Sequence, residues 1–546
     1  MITDPTQAKT PKLEAPLAAV ASPRGADRVL HYLLEARARQ TPEKPFLISD
    51  DRVLTYRDVE EESNRWAQGL AQRGVKKGHR VLLMIPSGVE HVLLWFALCK
   101  LGAVMVPVNE AYKGAMLKHQ VNDADAGLAI VAAEHLPHWI SLAPELNHLK
   151  EIAIFPAATS AVPPAPWAWT SAADLRLPDG RALPPVVDYF DPMAIFYTSG
   201  TTGPSKGVLY THAQAYATAA LPAQWCDASD VFYMFLPMFH VGLSQMVGLV
   251  LIAGATMALR ERFSASAFWS DVRRYRVTMT ILLSTMPNFL LSQPLRPEDR
   301  DHDLKKMIII PLPADLQTFV ERFGVGVATF FNMTEVSVPL HSDGFNLANP
   351  TSAGKPRRGV SARVVDENDE AVPVGQAGEL VVRADNPWEF SLGYWNNPEK
   401  TLESRRNLWF HSGDVFRADA EGNYYFIDRL KDAIRRRGEN ISSFEVESEI
   451  GAHPAVLECA AVAVPSDAGE DEIKAVVSLK SGASLTPAEL HEFLGKRLPA
   501  YMVPKYIDIR TTPLPKTPTG KIVKAALREA GIHDIWASAQ TPSRRT

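Results

Sequence analysis

Along the first four hundred residues, apolar positions gather into short unbroken runs with longer helix-like stretches between them. The runs Val81-Leu82-Leu83-Met84-Ile85 and Gly127-Leu128-Ala129-Ile130-Val131 lack the polar alternation of a half-solvated strand, which predicts strands covered on both faces. Between them, Ser87 and Glu90 have the spacing of a capping box. An apolar helix over Val89–Leu101 follows, Gly102 stops it, and Ala103-Val104-Met105-Val106-Pro107 reads as the next strand. This β/α alternation predicts an α/β fold of mostly parallel, helix-covered sheets. After Arg429 the pattern restarts on a smaller scale: Ser442 and Glu445 open a helix, 459–464 and 473–479 read as strands, and Thr486 with Glu489 caps another helix. The charged stretch 428–437 is the natural boundary between a large domain and a small α+β one.

The longest apolar stretch, 246–259, is shorter than the roughly 20 residues a membrane-spanning helix needs. It also contains Gly248 and Gly254, so it reads as buried core. Residues 1–27 and the tail 536–546 are polar or rich in Pro, Ala and Thr, and are expected to be poorly ordered extensions without a targeting signal. A chain of 546 residues exceeds one hydrophobic core and implies at least two domains. With 46% hydrophobic and 22% charged residues and a formal net charge of −5, nothing favours nucleic acid or an integral membrane as partner. The three cysteines, Cys99, Cys226 and Cys459, lie far apart, with no C-x-x-C pair and no histidine cluster at metal-ligand spacing, as in a reducing, cytoplasmic setting. Asp301-His302-Asp303 lies among Arg300, Lys305 and Lys306 and reads as a solvated loop.

The chemistry concentrates in Tyr197-Thr198-Ser199-Gly200-Thr201-Thr202-Gly203-Pro204-Ser205-Lys206-Gly207-Val208. Glycines let backbone N–H groups turn toward an anion, hydroxyls donate to its oxygens, and Lys206 adds a mobile positive charge, which suits a polyphosphate. It is not a Walker A loop, because the serine precedes the lysine. On these residues alone an ordinary Gly/Ser/Thr turn is an equal alternative.

The segment resembles the phosphate-binding signature of the AMP-forming acyl-adenylating superfamily, and six further motifs follow in that family's order. They are Phe235-Leu236-Pro237-Met238-Phe239-His240; Phe331-Asn332-Met333-Thr334-Glu335; Gly393-Tyr394 with Asn397-Pro398-Glu399 and Thr401; Ser412-Gly413-Asp414; Asp428-Arg429-Leu430-Lys431-Asp432 through Gly438-Glu439-Asn440; and Pro515-Lys516-Thr517-Pro518-Thr519-Gly520-Lys521. The resemblance implies an N-terminal domain over 28–428 that includes a small β-barrel subdomain, a hinge at 429–431 and a mobile lid over 432–535. It also implies the chemistry: a carboxylate attacks the α-phosphorus of ATP, pyrophosphate leaves, and the acyl-adenylate is handed to an acceptor.

By the same resemblance, Thr198, Ser199, Gly200, Thr201, Thr202, Gly203 and Lys206 wrap the β- and γ-phosphates, Thr334 donates to them, and Glu335 holds Mg²⁺. Asp414 takes the ribose hydroxyls with help from Arg429, Phe331 stacks on adenine beside Asn332, and Lys521 reaches the α-phosphate and the substrate carboxylate. Lys431 is the pivot, while Gly438 and Glu439 line the path of a pantetheine arm, which makes coenzyme A the acceptor. Met238, Phe239, His240 and Asn332 border the acyl pocket. The family usually has glycine where Asn332 stands, so a short or polar acid is expected. The stretch 107–114 and the unusual Ile308-Ile309-Ile310-Pro311-Leu312-Pro313-Ala314 look most like the carnitine/crotonobetaine-CoA ligase branch, whose substrate ammonium could meet Trp225 or Phe239. A medium- or long-chain or aryl acid is the alternative substrate. An ATPase releasing ADP and a catalytically silent nucleotide-binding protein of the same fold are the competing classes. Family habit allows a monomer or a homodimer.

Overall fold

The computed structural model describes residues 25–50, 52–156, 165–198, 204–283, 286–313, 315–345, 347, 349–429, 434–436, 439–465, 471–517, 522–533 and 535–538. The chain divides into two compact units: Met1–Arg262 with Pro387–Pro398, and Phe263–Asn386 with Glu399–Thr546.

The first unit is built on an eight-stranded sheet in the order Gly393–Tyr394, Lys206–Thr211, Pro192–Thr198, Val104–Pro107, Arg80–Met84, Leu128–Ala132, Glu151–Phe155, Ala168–Ser171. From Pro192–Thr198 onward neighbours run parallel, and the two pairings that Lys206–Thr211 makes, with Pro192–Thr198 and with Gly393–Tyr394, are antiparallel. The strands expected at 81–85, 103–107 and 127–131 are Arg80–Met84, Val104–Pro107 and Leu128–Ala132. In the helix Val89–Leu101 every residue but Glu90 is buried, which is why it is apolar on all sides. Its one buried cation, Lys100, is met by both carboxylate oxygens of Glu60 at 2.7 Å. Gly102 ends the helix in the left-handed region, as expected. The start differs from the expectation: Gly88 is the N-cap, no side chain caps the helix, and the Ser87 hydroxyl instead accepts the backbone N–H of Met238.

Parallel strands Pro45–Ser49, Thr256–Leu259 and Val231–Met234 form a further layer of this unit, with Arg52–Thr55 antiparallel at its side. The apolar stretch 246–259 is the end of the buried helix Gly242–Ala253, a left-handed Gly254 and a buried strand. Among the described residues no helix is long and apolar enough to cross a membrane.

The second unit begins with three parallel strands, Met279–Leu283, Lys306–Ile310 and Gly326–Ala328. The hairpin Phe330–Met333 with Ser337–His341 follows, and then an antiparallel sheet of Val360–Val365, Ala377–Ala384, Phe410–Ala418 and Tyr424–Arg429. His302 is not simply solvated: its ring stacks on Trp269 at 4.7 Å, and Asp303 pairs with Arg276 at 3.0 Å.

At the C-terminal end lies the small α+β domain. Val456–Pro465, Asp471–Leu479 and Tyr506–Arg510 pack helices Ser443–Gly451 and Pro487–Gly495 through Val446, Ile450, Val477, Leu490, Leu494 and Ile507. Both of its expected helix starts are present. Ser442 accepts from the Glu445 N–H, and Thr486 forms a complete capping box with Glu489.

Candidate active site

In the first unit, the Gly/hydroxyl loop leaves one strand and returns on its antiparallel neighbour, so Thr198 and Lys206 stand opposite each other in register. The Thr198 hydroxyl donates to the Lys206 carbonyl at 3.4 Å. Ser199, Gly200, Thr201, Thr202 and Gly203 lie outside the described residues. The Lys206 ammonium sits 4.7 Å over the ring of Tyr394, which the short strand Gly393–Tyr394 brings alongside Val208. Gly207 has a packing role: a Cβ there would lie 2.6 Å from Ile195 Cγ2 and 3.2 Å from the Tyr197 ring. Its bareness serves strand pairing and is not evidence of anion contact.

Helix Gly114–Ala124 braces both ends of this loop, which sequence reasoning missed. Tyr197 donates to Asp123 at 2.6 Å, and His119 Nε2 donates to the Ser205 carbonyl at 2.8 Å. Burial first, and then the Asp123 carboxylate, push the Tyr197 hydroxyl far up from its ordinary range, so it stays a donor.

Met238 is buried, its backbone N–H held by Ser87 and its sulfur accepting from the Gly88 N–H at 3.3 Å. Phe239 and His240 follow it half-buried, with rings 4.7 Å apart.

In the second unit, the hairpin gathers Phe331, Asn332, Thr334 and Glu335 at one end. Phe331 is half-buried with an edge contact to Phe416 at 5.0 Å, and Asn332 falls where the pairing register shifts. Thr334 is half-buried and Glu335 is buried in the turn. Asp414 is paired across the sheet with Arg429, and their side chains approach to 3.8 Å. Asp414 is buried while Arg429 is partly exposed, so the carboxylate has little room to reorient. The Ile308-Ile309-Ile310 run is a strand whose first two side chains are fully buried, which explains its apolar character without a ligand.

Lys521, Lys431 and Gly438 lie outside the described residues, as does the side chain of Glu439, whose backbone opens the strand Glu439–Ile441. The structure also brings together Glu110, Glu134 and His135, which their spacing in sequence did not suggest. Their candidate ligand atoms lie within 4.8 Å of one another, with His135 Nε2 3.5 Å from Glu110. Glu335 belongs to no such group among the described residues. A single buried carboxylate next to a hydroxyl suits Mg²⁺, which takes one or two carboxylates and leaves its other positions to phosphate oxygens and water.

Two family models match the chain: AMP-binding enzyme over residues 34–395, and AMP-binding enzyme C-terminal domain over 445–521. Among curated proteins, the crotonobetaine/carnitine–CoA ligase of Salmonella typhi is 31% identical over 490 residues, covering 87% of this chain and 93% of that protein. Among solved structures, the anthranilate CoA ligase AuaEII in complex with anthranoyl-AMP superposes with a TM-score of 0.81 at 27% identity, covering 92% of this chain and 97% of the other. ATP-bound MatB from Rhodopseudomonas palustris gives 0.79 at 26%, covering 91% and 98%. The motifs and their strands, the two matched segments and these likenesses agree, and the chain belongs to the AMP-binding enzyme family.

Proposed function

We propose that the protein activates a short or polar carboxylic acid as its acyl-adenylate and passes the acyl group to coenzyme A. Its class is that of an AMP-forming acyl-CoA synthetase. The observation that carries the reading of the first step is the register pairing of Thr198 with Lys206, which fixes both ends of the Gly/hydroxyl loop and aligns its only lysine with a hydroxyl. A carboxylate approaching ATP meets a tetra-anion, so donors and cations fixed beforehand are the main help available. Lys206 and the loop hydroxyls take the β- and γ-phosphates, Thr334 donates to phosphate oxygen, and Lys521 neutralises charge where the acid carboxylate and the α-phosphate meet. Asp414 accepts the ribose hydroxyls and Phe331 offers adenine a ring face. Mg²⁺ would be held by Glu335 and, when bound, supplies further neutralisation of phosphate charge.

The hinge at 429–431 with Lys431, the path along Gly438 and Glu439, and the acyl border of Met238, Phe239, His240 and Asn332 complete the proposal. The substrate range rests on Asn332, whose amide takes up space and offers hydrogen bonds where a glycine would offer neither. The relatedness to crotonobetaine/carnitine–CoA ligases supports a small charged acid.

The test is a panel of short, hydroxy, amino, betaine, aromatic and fatty acids with MgATP, scored for pyrophosphate and AMP with and without coenzyme A. Acid-dependent pyrophosphate, acyl-CoA formed with coenzyme A, and loss of ATP–pyrophosphate exchange in Lys521→Ala are expected. Release of ADP and phosphate, or an exchange unaffected by Lys521→Ala, would overturn the scheme.

A further inference from the structure

The turn that carries Asp414 departs from its own sheet. In the pairing of Ala377–Ala384 with Phe410–Ala418, Val381 lies opposite His411 and Glu379 opposite Val415, so Ser412-Gly413-Asp414 face the single residue Leu380. Such a bulge leaves backbone groups without ladder partners, and each must find another. The Ser412 hydroxyl donates to the Leu380 carbonyl at 2.6 Å and accepts the Asp414 N–H at 3.1 Å. Gly413 has φ 68°, a left-handed conformation, and its N–H donates to Glu379 Oε1 at 2.9 Å. Glu379 Oε2 lies 2.8 Å from His411 Nδ1. Arg406, itself held by Asp369 at 2.7 Å, is 3.2 Å from the same nitrogen. One ring nitrogen cannot both donate to the carboxylate and accept from the guanidinium, and the shorter contact to an anion selects Nδ1–H. Only about a tenth of each side chain, Glu379 and His411, is exposed, so this hydrogen bonding is little diluted by water.

We propose that Glu379 is a positioning residue: one carboxylate, fixed by His411, holds the bulge at Gly413 and thereby sets the direction in which Asp414 meets the ribose hydroxyls. The inference rests on the reading of Asp414 as the ribose acceptor. Glu379 touches no substrate. It acts by keeping the turn in a single conformation, so its effect appears in nucleotide recognition and not in the chemical step.

The experiment measures ATP–pyrophosphate exchange by the full-length enzyme with an acid it turns over, using ATP, 2′-deoxy-ATP and 3′-deoxy-ATP. Asp414→Ala should raise KM for ATP about tenfold and erase most of the preference for ATP over the deoxy analogues. Glu379→Ala should do the same with kcat within about threefold, since it removes a hydrogen bond to a charged group without touching the phosphates. Glu379→Gln should restore the preference, because its carbonyl accepts from Gly413 and its amide donates to the other imidazole tautomer. The double variant with Asp414→Ala should be no worse than Asp414→Ala alone. If Glu379→Ala does not fold, His411→Leu makes the same comparison with one anchor removed and should lower the preference at least about twofold. An intact ATP preference in Glu379→Ala or His411→Leu, beside its loss in Asp414→Ala, overturns the positioning role. An intact preference in Asp414→Ala overturns the ribose reading, and the positioning role falls with it.

Discussion

At position 332 the backbone changes register between Phe331 and Met333, so a side chain there projects from an irregular point of the hairpin and not from a regular ladder position. Asparagine adds an amide to that point, and a glycine would remove it at modest backbone cost because the ladder is already interrupted. Asn332→Gly is therefore expected to fold normally and to raise kcat/KM for acids larger than the preferred one by about tenfold, the scale of a single methylene in a pocket. A competition assay over acids of increasing chain length reads this directly, and an acyl-length profile identical to that of the parent would remove Asn332 from the acyl border. Gly207 illustrates the opposite lesson at the same scale. Its place in a motif suggested a ligand-facing role, yet the close approach of Ile195 accounts for it by packing.

Among elements, helix starts separate what the sequence made legible from what it hid. Thr486 and Glu489 satisfy each other within one turn, as do Ser442 and the Glu445 N–H, so local spacing sufficed to identify them. Ser87 and Glu90 have the same spacing, but the Ser87 hydroxyl is taken by Met238, 151 residues away, and no local rule could foresee that partner. The same limit hid His119 and Asp123, which hold the two ends of the Gly/hydroxyl loop from a helix far away in sequence, and Glu379, which holds the Asp414 turn from a neighbouring strand. The parallel strands and the motif residues were readable because burial on both faces and glycine punctuation leave marks in the chain itself. The caps can be weighed. Thr486→Ala removes both hydrogen bonds of its hydroxyl, while the Glu489 carboxylate still accepts the backbone N–H of residue 486, and should cost about 1 kcal/mol. Chemical denaturation of the small domain should show this as a lower midpoint with an unchanged slope, and Thr486→Ser should recover most of it.

On the scale of the whole molecule, the first unit carries several histidines in its core whose charging opposes its fold. His91 is fully buried and held neutral down to about 4, mainly by burial. His212 is held down to about 3 by burial and then by Lys77, and His31 is lowered by burial, His212 and Lys100. His31 and His212 lie 5.7 Å apart, so a proton on one opposes a proton on the other. In the unfolded chain these rings take up protons near their ordinary value of 6.5, whereas the folded protein refuses them. Their depressed values therefore cost nothing above pH 7, and stability drains as pH falls from about 6.5 toward 4, because the unfolded state binds more protons. His91 alone accounts for a loss on the order of 3 kcal/mol across that window. The melting temperature should be level from pH 8 to 7 and then fall steeply below 6.5. His91→Gln, which cannot take a proton, should flatten that decline even if its midpoint at pH 8 is lower. Because Lys206 and Thr198 sit on the same unit, acid inactivation of ATP–pyrophosphate exchange should track this melting curve and shift with it in the variant. A parallel decline in parent and variant would instead assign acid lability to carboxylates paired across the surface.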